Sequence, residues 1–239
     1  MPAILEKWKV QPHEAPVEVD DGILTVAGEI PMPLGNFPRR MTVVRLARGR
    51  TAIYSAIALG EPEMARIEAM GAPAFLIVPG DHHRLDARIW KDRYPDIRVI
   101  APPGAKEAVE EAVPVDATHD AFGDREVKLV VVPGTGGHDA ALEVRRASGL
   151  TLVLNDVLAN VAHPHGLGAN IMARLFGFGV SHPQVPRPVK FGIEDKLALA
   201  EQFDAWAADP ELRRIIVSHG DVIEQDPAEV LRTLADALD

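Results

Sequence analysis

The chain has 239 residues, 47% of them apolar, which is enough for one large α/β domain with a sizeable core. It contains no cysteine, so disulfides and thiolate metal sites are excluded and any metal must be held by His, Asp and Glu. A formal net charge of -10, with no long run of Lys and Arg, argues against a nucleic-acid partner.

Met1 to Val17 mixes Glu6, Lys7, Lys9, His13 and Glu14 with apolar residues and lacks the apolar stretch of a signal peptide. No window reaches the length of a membrane-spanning helix, so a cytoplasmic location is expected. Val17 to Ile30 reads as strand, turn and strand around Asp20-Asp21-Gly22. Arg40 to Leu46 and Thr51 to Ala58 are β-rich runs joined by Ala47-Arg48-Gly49-Arg50. Glu61 to Met70 has helical spacing and ends at Gly71. Ala74 to Val78 has the continuous apolar pattern of a buried strand and is broken by Pro79-Gly80. Leu85 to Trp90 opens a helix, Ile97 to Ala101 is a strand, and Gly104 to Val113 is a helix. Val127 to Val132 is a strand running into Pro133-Gly134-Thr135-Gly136-Gly137-His138. Ala140 to Arg146 and Leu150 to Leu154 form a hairpin around Ser148-Gly149. Ile193 to Ala207 is a helix, Arg214 to Val217 a strand, and Pro227 to Leu238 a closing helix with Pro in its first turn. The pattern predicts two mixed sheets packed face to face with helices outside, in a single domain over residues 1–239. Ile171 to Val180 is apolar with interspersed glycines: a buried helix or cap, or else a substrate wall or dimer contact.

Four polar groups directly follow apolar strands: Asp81-His82-His83, His138, Asp156 and His219. Strands that end on one sheet edge bring such residues together in space, and ligands gather there. Imidazole and carboxylate are the donors that bind Zn²⁺, Mn²⁺ or Fe²⁺ without thiols. Singly, a His at a strand end is more often a structural hydrogen-bonding group, and an Asp more often a turn former or cap. Together they form a constellation. His163 and His165, in Ala-His-Pro-His-Gly shortly after Asp156, are accessory or substrate-contact candidates. No G-x-S-x-G elbow or phosphate loop is present. Gly134 to Gly137 precedes a strand rather than a helix, which argues against a dinucleotide site.

Gly136-Gly137-His138-Asp139 resembles the Gly-His-[Thr/Ser] step of the metallo-β-lactamase superfamily, whose histidine binds metal. Leu152-Val153-Leu154-Asn155-Asp156 is similar to the family's strand ending in Gly-Asp, and Ile215-Ile216-Val217-Ser218-His219-Gly220 to its last His-Gly step. The resemblance runs from about Met41 to the C-terminus and implies a four-layer αββα sandwich. The family signature H-x-H-x-D-H is replaced by Val78-Pro79-Gly80-Asp81-His82-His83-Arg84-Leu85-Asp86, which no register reproduces. Met-Thr-Val-Val-Arg-Leu, Ser55 and the helix of Trp90 further resemble an uncharacterised branch of the superfamily.

The resemblance implies metal ligands among His82, His83, Asp86, His138, Asp156 and His219, with Asp156 or Asp81 orienting a water or accepting its proton. The cofactor expected is one or two divalent ions, zinc before iron or manganese, or none if the altered motif has lost the site. The activity implied is hydrolysis of an ester, amide, thioester or phosphoester. The alternative is a non-catalytic binding or sensing module on the same fold, and a third reading is an iron-dependent redox role. The partner expected is a small-molecule substrate, with neither nucleic acid nor membrane, and a homo-oligomer stays open.

Overall fold

The computed structural model describes residues 4–32, 35–162 and 174–238. Six strands form the first sheet, in sequential order: β1 (Val17–Asp20), β2 (Ile23–Ile30), β3 (Phe37–Leu46), β4 (Arg50–Tyr54), β5 (Ala72–Ile77) and β6 (Arg98–Ile100). Four strands form the second, in the order β10 (Leu212–Val217), β9 (Gly149–Leu154), β8 (Ala140–Arg146) and β7 (Val127–Val131). The pairs β4–β5, β5–β6 and β9–β10 are parallel, and the others antiparallel.

Strand periodicity separates three cores. In β4, Ile53 faces one apolar cluster while Ala52 and Tyr54 face another. In β9, Leu150, Leu152 and Leu154 point one way and Val153 the other. The middle cluster takes residues from both sheets, including Tyr54 and Ile77 from the first and Leu142 and Ile216 from the second, so the sheets pack face to face. Outside the first sheet lie α1 (Glu61–Met70), α2 (Ala87–Arg93) and α3 (Lys106–Glu110), which bury Met64, Ile67, Ile89, Trp90 and Val109. After α4 (Arg187–Gly192), α5 (Lys196–Ala207) and α6 (Pro227–Asp236) cover the second sheet with Leu199, Phe203, Trp206, Leu231 and Leu234. This is the αββα order expected from the sequence.

Among the boundaries that differ from the sequence reading, two have plain local reasons. The expected strand Thr51 to Ala58 stops at Tyr54, because Ser55 adopts a left-handed backbone (φ 54°) that strand geometry does not allow. The helix expected from Ile193 starts at Lys196. The Asp195 side chain there accepts a hydrogen bond from the Ala198 N–H (3.0 Å) and caps the first turn. No helix among the described residues is long and apolar enough to cross a membrane.

Candidate metal centre

Three strand ends supply the site. The residues after β5 carry His83, those after β9 carry Asp156, and those after β10 carry His219. Two glycines make the convergence sterically possible. A Cβ on Gly80 would lie 2.9 Å from Asn155 Nδ2 and 3.2 Å from the His138 carbonyl, so the turn bearing His83 packs directly against the end of β9. Gly220 has φ 112°, and a Cβ there would lie 1.9 Å from the Asn160 carbonyl oxygen. The backbone after His219 therefore requires glycine.

Among the described residues, His83, Asp156 and His219 form the one group whose ligand atoms all lie within 4.8 Å of one another. His83 Nε2 is 3.3 Å and His219 Nε2 is 3.0 Å from the same oxygen, Asp156 Oδ1. The far nitrogens are anchored. His219 Nδ1 is 2.8 Å from the Pro38 carbonyl, and His83 Nδ1 is 2.8 Å from Ser55 Oγ. Bonds of this kind set tautomer and ring orientation in metal-binding histidines.

The donor chemistry fits a cation. A carbonyl only accepts, so His219 Nδ1 carries a hydrogen there, which leaves Nε2 as the atom facing Asp156 and any cation. Burial lowers the His83 pKa, opposed by Asp156, and so favours its neutral form. With Ser55 accepting from His83 Nδ1, both Nε2 atoms are left to face a cation beside the same carboxylate oxygen. A proton on one ring satisfies one contact, whereas a divalent ion among the three groups satisfies both. Metal bonds of about 2.0–2.2 Å in a tetrahedron put neighbouring donors about 3.3–3.6 Å apart, close to the separations seen.

Asp156 is half-buried, with 23% of its side chain exposed, and its partial desolvation works to raise its pKa. In the metal-free protein, wherever the Nε2 atoms carry hydrogen, His83 first and then His219 outweigh burial and hold the carboxyl well below the usual carboxylate range. Asp139 behaves oppositely: burial, reinforced by the charge of Asp156, pushes its carboxyl well up. Asp139 Oδ2 accepts the Asp156 N–H (3.0 Å), while Oδ1 has no hydrogen-bond partner. A carboxyl whose folded pKa is raised binds more protons folded than unfolded, so it removes stability as pH rises from its unfolded to its folded value. Asp139→Asn keeps the acceptor and abolishes the charge. Metal-free Asp139→Asn is therefore expected to match the parent's melting temperature near about pH 4 and to exceed it by several degrees near about pH 8, because about 1 kcal/mol moves a chain of this size by about 2–4 °C. Thermal melts across that range check the sign.

Ser55 was not singled out as a site residue from the sequence. Its left-handed backbone is a conformation a non-glycine residue rarely holds, and here it brings Oγ to His83. Removing such an outer hydrogen bond costs about 10–100-fold in metal affinity. Ser55→Ala and Ser55→Gly are both expected to weaken metal binding by that factor. Ser55→Gly is expected to be more stable than Ser55→Ala by about 1 kcal/mol, because only glycine accepts this φ without strain. Competition with a chelator measures the first effect and denaturant unfolding the second.

The other sequence candidates fall elsewhere. His82 is exposed at the wall of the adjoining cavity. His138 is exposed and its Nδ1 meets both carboxylate oxygens of Asp81 at 3.1 Å, so these two pair with each other outside the group of three. Asp86, expected as a donor, is 1% exposed and ion-paired with Arg39, and its Oδ1 accepts the Ala58 N–H (3.0 Å). His163 and His165 lie outside the described residues, as do residues 171–173 of the apolar stretch. Phe178 from that stretch lines the cavity beside the three donors.

No family model matches the sequence, and no curated protein matches it. Solved structures do match the fold over nearly the whole chain. The DIM-1 metallo-β-lactamase superposes with a TM-score of 0.64 at 11% identity, covering 97% of this chain and 100% of that one. A metallo-β-lactamase from Erythrobacter litoralis gives 0.61 at 16% identity, covering 93% and 96%. FIM-1 from Pseudomonas aeruginosa, in a mono-zinc form, gives 0.57 at 16% identity, covering 96% and 97%. The fold is that of the metallo-β-lactamase superfamily.

Proposed function

We propose that the protein is a metal-dependent hydrolase with one divalent ion, zinc first, held by His83, Asp156 and His219. The observation that carries this reading is the pair of anchored imidazoles whose Nε2 atoms face a single carboxylate oxygen. Three protein donors leave a coordination position open, the arrangement of catalytic rather than structural zinc sites. When bound, the ion supplies a Lewis acid and lowers the pKa of a coordinated water toward about 7. The chain's own part is to hold both imidazoles in the metal-binding tautomer through Ser55 and Pro38. Asp156 remains ionised and supplies negative charge. The bond broken belongs to an ester, amide, thioester or phosphoester.

Metal analysis of protein prepared without chelators, followed by turnover on generic members of these four classes, tests the reading. One ion per chain with turnover that is lost on metal removal is expected. A chain that takes up no metal under zinc, iron or manganese supplementation overturns it and leaves a non-catalytic binding module on the same fold.

A further inference from the structure

We infer that the substrate is a neutral, hydrophobic acyl compound, an ester or thioester, whose apolar acyl chain occupies the cavity beside His219. This rests on the hydrolase reading and adds the substrate class. The cavity measures about 310 Å³, and its walls include Ile30, Phe37, Phe178, Pro186 and Val189. The apolar wall begins at the donors themselves. The Phe37 ring is 4.8 Å and the Phe178 ring 6.1 Å from the His219 ring, and the two phenyl rings meet edge to face at 5.2 Å. A group attached to a carbonyl held at the donors therefore lies against aromatic carbon. Met32, 51% exposed, extends the apolar lining to solvent.

Among the described residues, the cavity offers no built recognition for a charged substituent. Arg39 lines it, but its Nη1 is taken by Asp86, while its Nε and Nη2 have no hydrogen-bond partner and are buried out of a substituent's reach. Asp156 and the two imidazoles face one another at the donor group. Exposed His82 is the remaining titratable side chain on the lining among the described residues. A phosphate or carboxylate at the far end of the substrate would be desolvated against phenylalanine, proline and valine without a partner. In the reaction, the carbonyl carbon gains a bond to the water oxygen and loses its bond to the alkoxide or thiolate. The leaving group departs with a proton, and the acid remains.

Two measurements separate this inference from the hydrolase reading. The first is binding without turnover: calorimetry of the metal-loaded protein with methyl ketones from butanone to dodecanone, and with ketones of the same lengths bearing a terminal carboxylate. The dissociation constant is expected to fall about fourfold per methylene until the chain meets the far wall. The carboxylate-ended series is expected to bind about 100-fold more weakly or worse, the cost of burying an unpaired charge. Phe178→Ala should flatten the chain-length dependence with metal content unchanged, and Val189→Ala reports on the same wall should Phe178→Ala not fold. The second measurement is turnover of para-nitrophenyl esters from acetate to decanoate, where kcat/KM should follow the same dependence. Length-dependent binding without turnover keeps the apolar site and overturns the hydrolase. Turnover indifferent to chain length, or carboxylate-ended ketones binding as well as neutral ones, overturns the inference and keeps the hydrolase. Neither binding nor turnover overturns both.

Discussion

Replacing any one of His83, Asp156 or His219 by alanine is expected to abolish stoichiometric metal binding, whereas His138→Ala and His82→Ala keep one ion per chain. The asymmetry follows from geometry. The first three place their ligand atoms within 4.8 Å of one another, while His138 spends its Nδ1 on Asp81 at the exposed side. Losing a hydrogen bond behind a ligand costs about 10–100-fold in affinity, so losing the ligand itself costs more than about 100-fold. Asp156→Ala carries a second consequence. It removes the negative charge that opposes burial in setting the His83 pKa, so metal-free Asp156→Ala should hold that imidazole neutral to lower pH than the parent does. Metal content by elemental analysis, with histidine ring titration by NMR, reads both effects. A second ion in the parent that disappears with His138→Ala would show that the site extends beyond the three donors.

Part of this candidate centre is legible in the sequence. Asp156 and His219 each stand two residues past an apolar run, Leu152 to Leu154 and Ile215 to Val217, and parallel pairing of β9 with β10 puts those ends side by side. Period-two patterning set the layers, because each face of a central strand needs its own apolar partners. The choice between His82 and His83 was not legible, since adjacent residues share every sequence-level property. The turn decides it: His83 N–H donates to the Gly80 carbonyl (3.3 Å), and Gly80 lets that turn lie on the end of β9, which brings His83 to Asp156 and leaves His82 outside. Ser55, Phe37 and Phe178 were equally hidden as site residues. Their roles come from contacts across the molecule, as when Phe37 and Phe178 meet from segments far apart in sequence. Asp86 went the same way: a carboxylate beside a histidine motif reads as a ligand until its partner, 47 residues earlier on β3, is seen.

That pairing supplies the largest expected effect on stability. Arg39 is 6% and Asp86 1% exposed, so each ion depends on the other for its charge compensation. Removing one partner of a buried pair strands the other and costs about 3–5 kcal/mol, or roughly 10 °C for a chain of this length. Arg39→Ala and Asp86→Ala should share that loss near neutral pH and differ in its pH dependence. Burial already pushes the Asp86 carboxyl up against the opposing charge of Arg39, and without Arg39 it rises further. A raised folded pKa means that stability is recovered as pH falls, because the stranded group takes up a proton in the folded state. The deficit of Arg39→Ala should therefore shrink toward about pH 5, within reach of a carboxyl so displaced. Asp86→Ala strands a guanidinium that stays protonated throughout, so its deficit should not change over the same range. The double variant Arg39→Met with Asp86→Leu should recover most of the loss, since replacing both ions by apolar side chains of similar volume is often neutral. Denaturant unfolding of the four proteins at two pH values reads all three expectations. Arg39 also adjoins Pro38, whose carbonyl anchors His219, so the single variants should weaken metal binding even where they remain folded. If both lost the same stability at every pH, the pair would not be acting as mutually compensating ions, and its place beside the site would be one of shape alone.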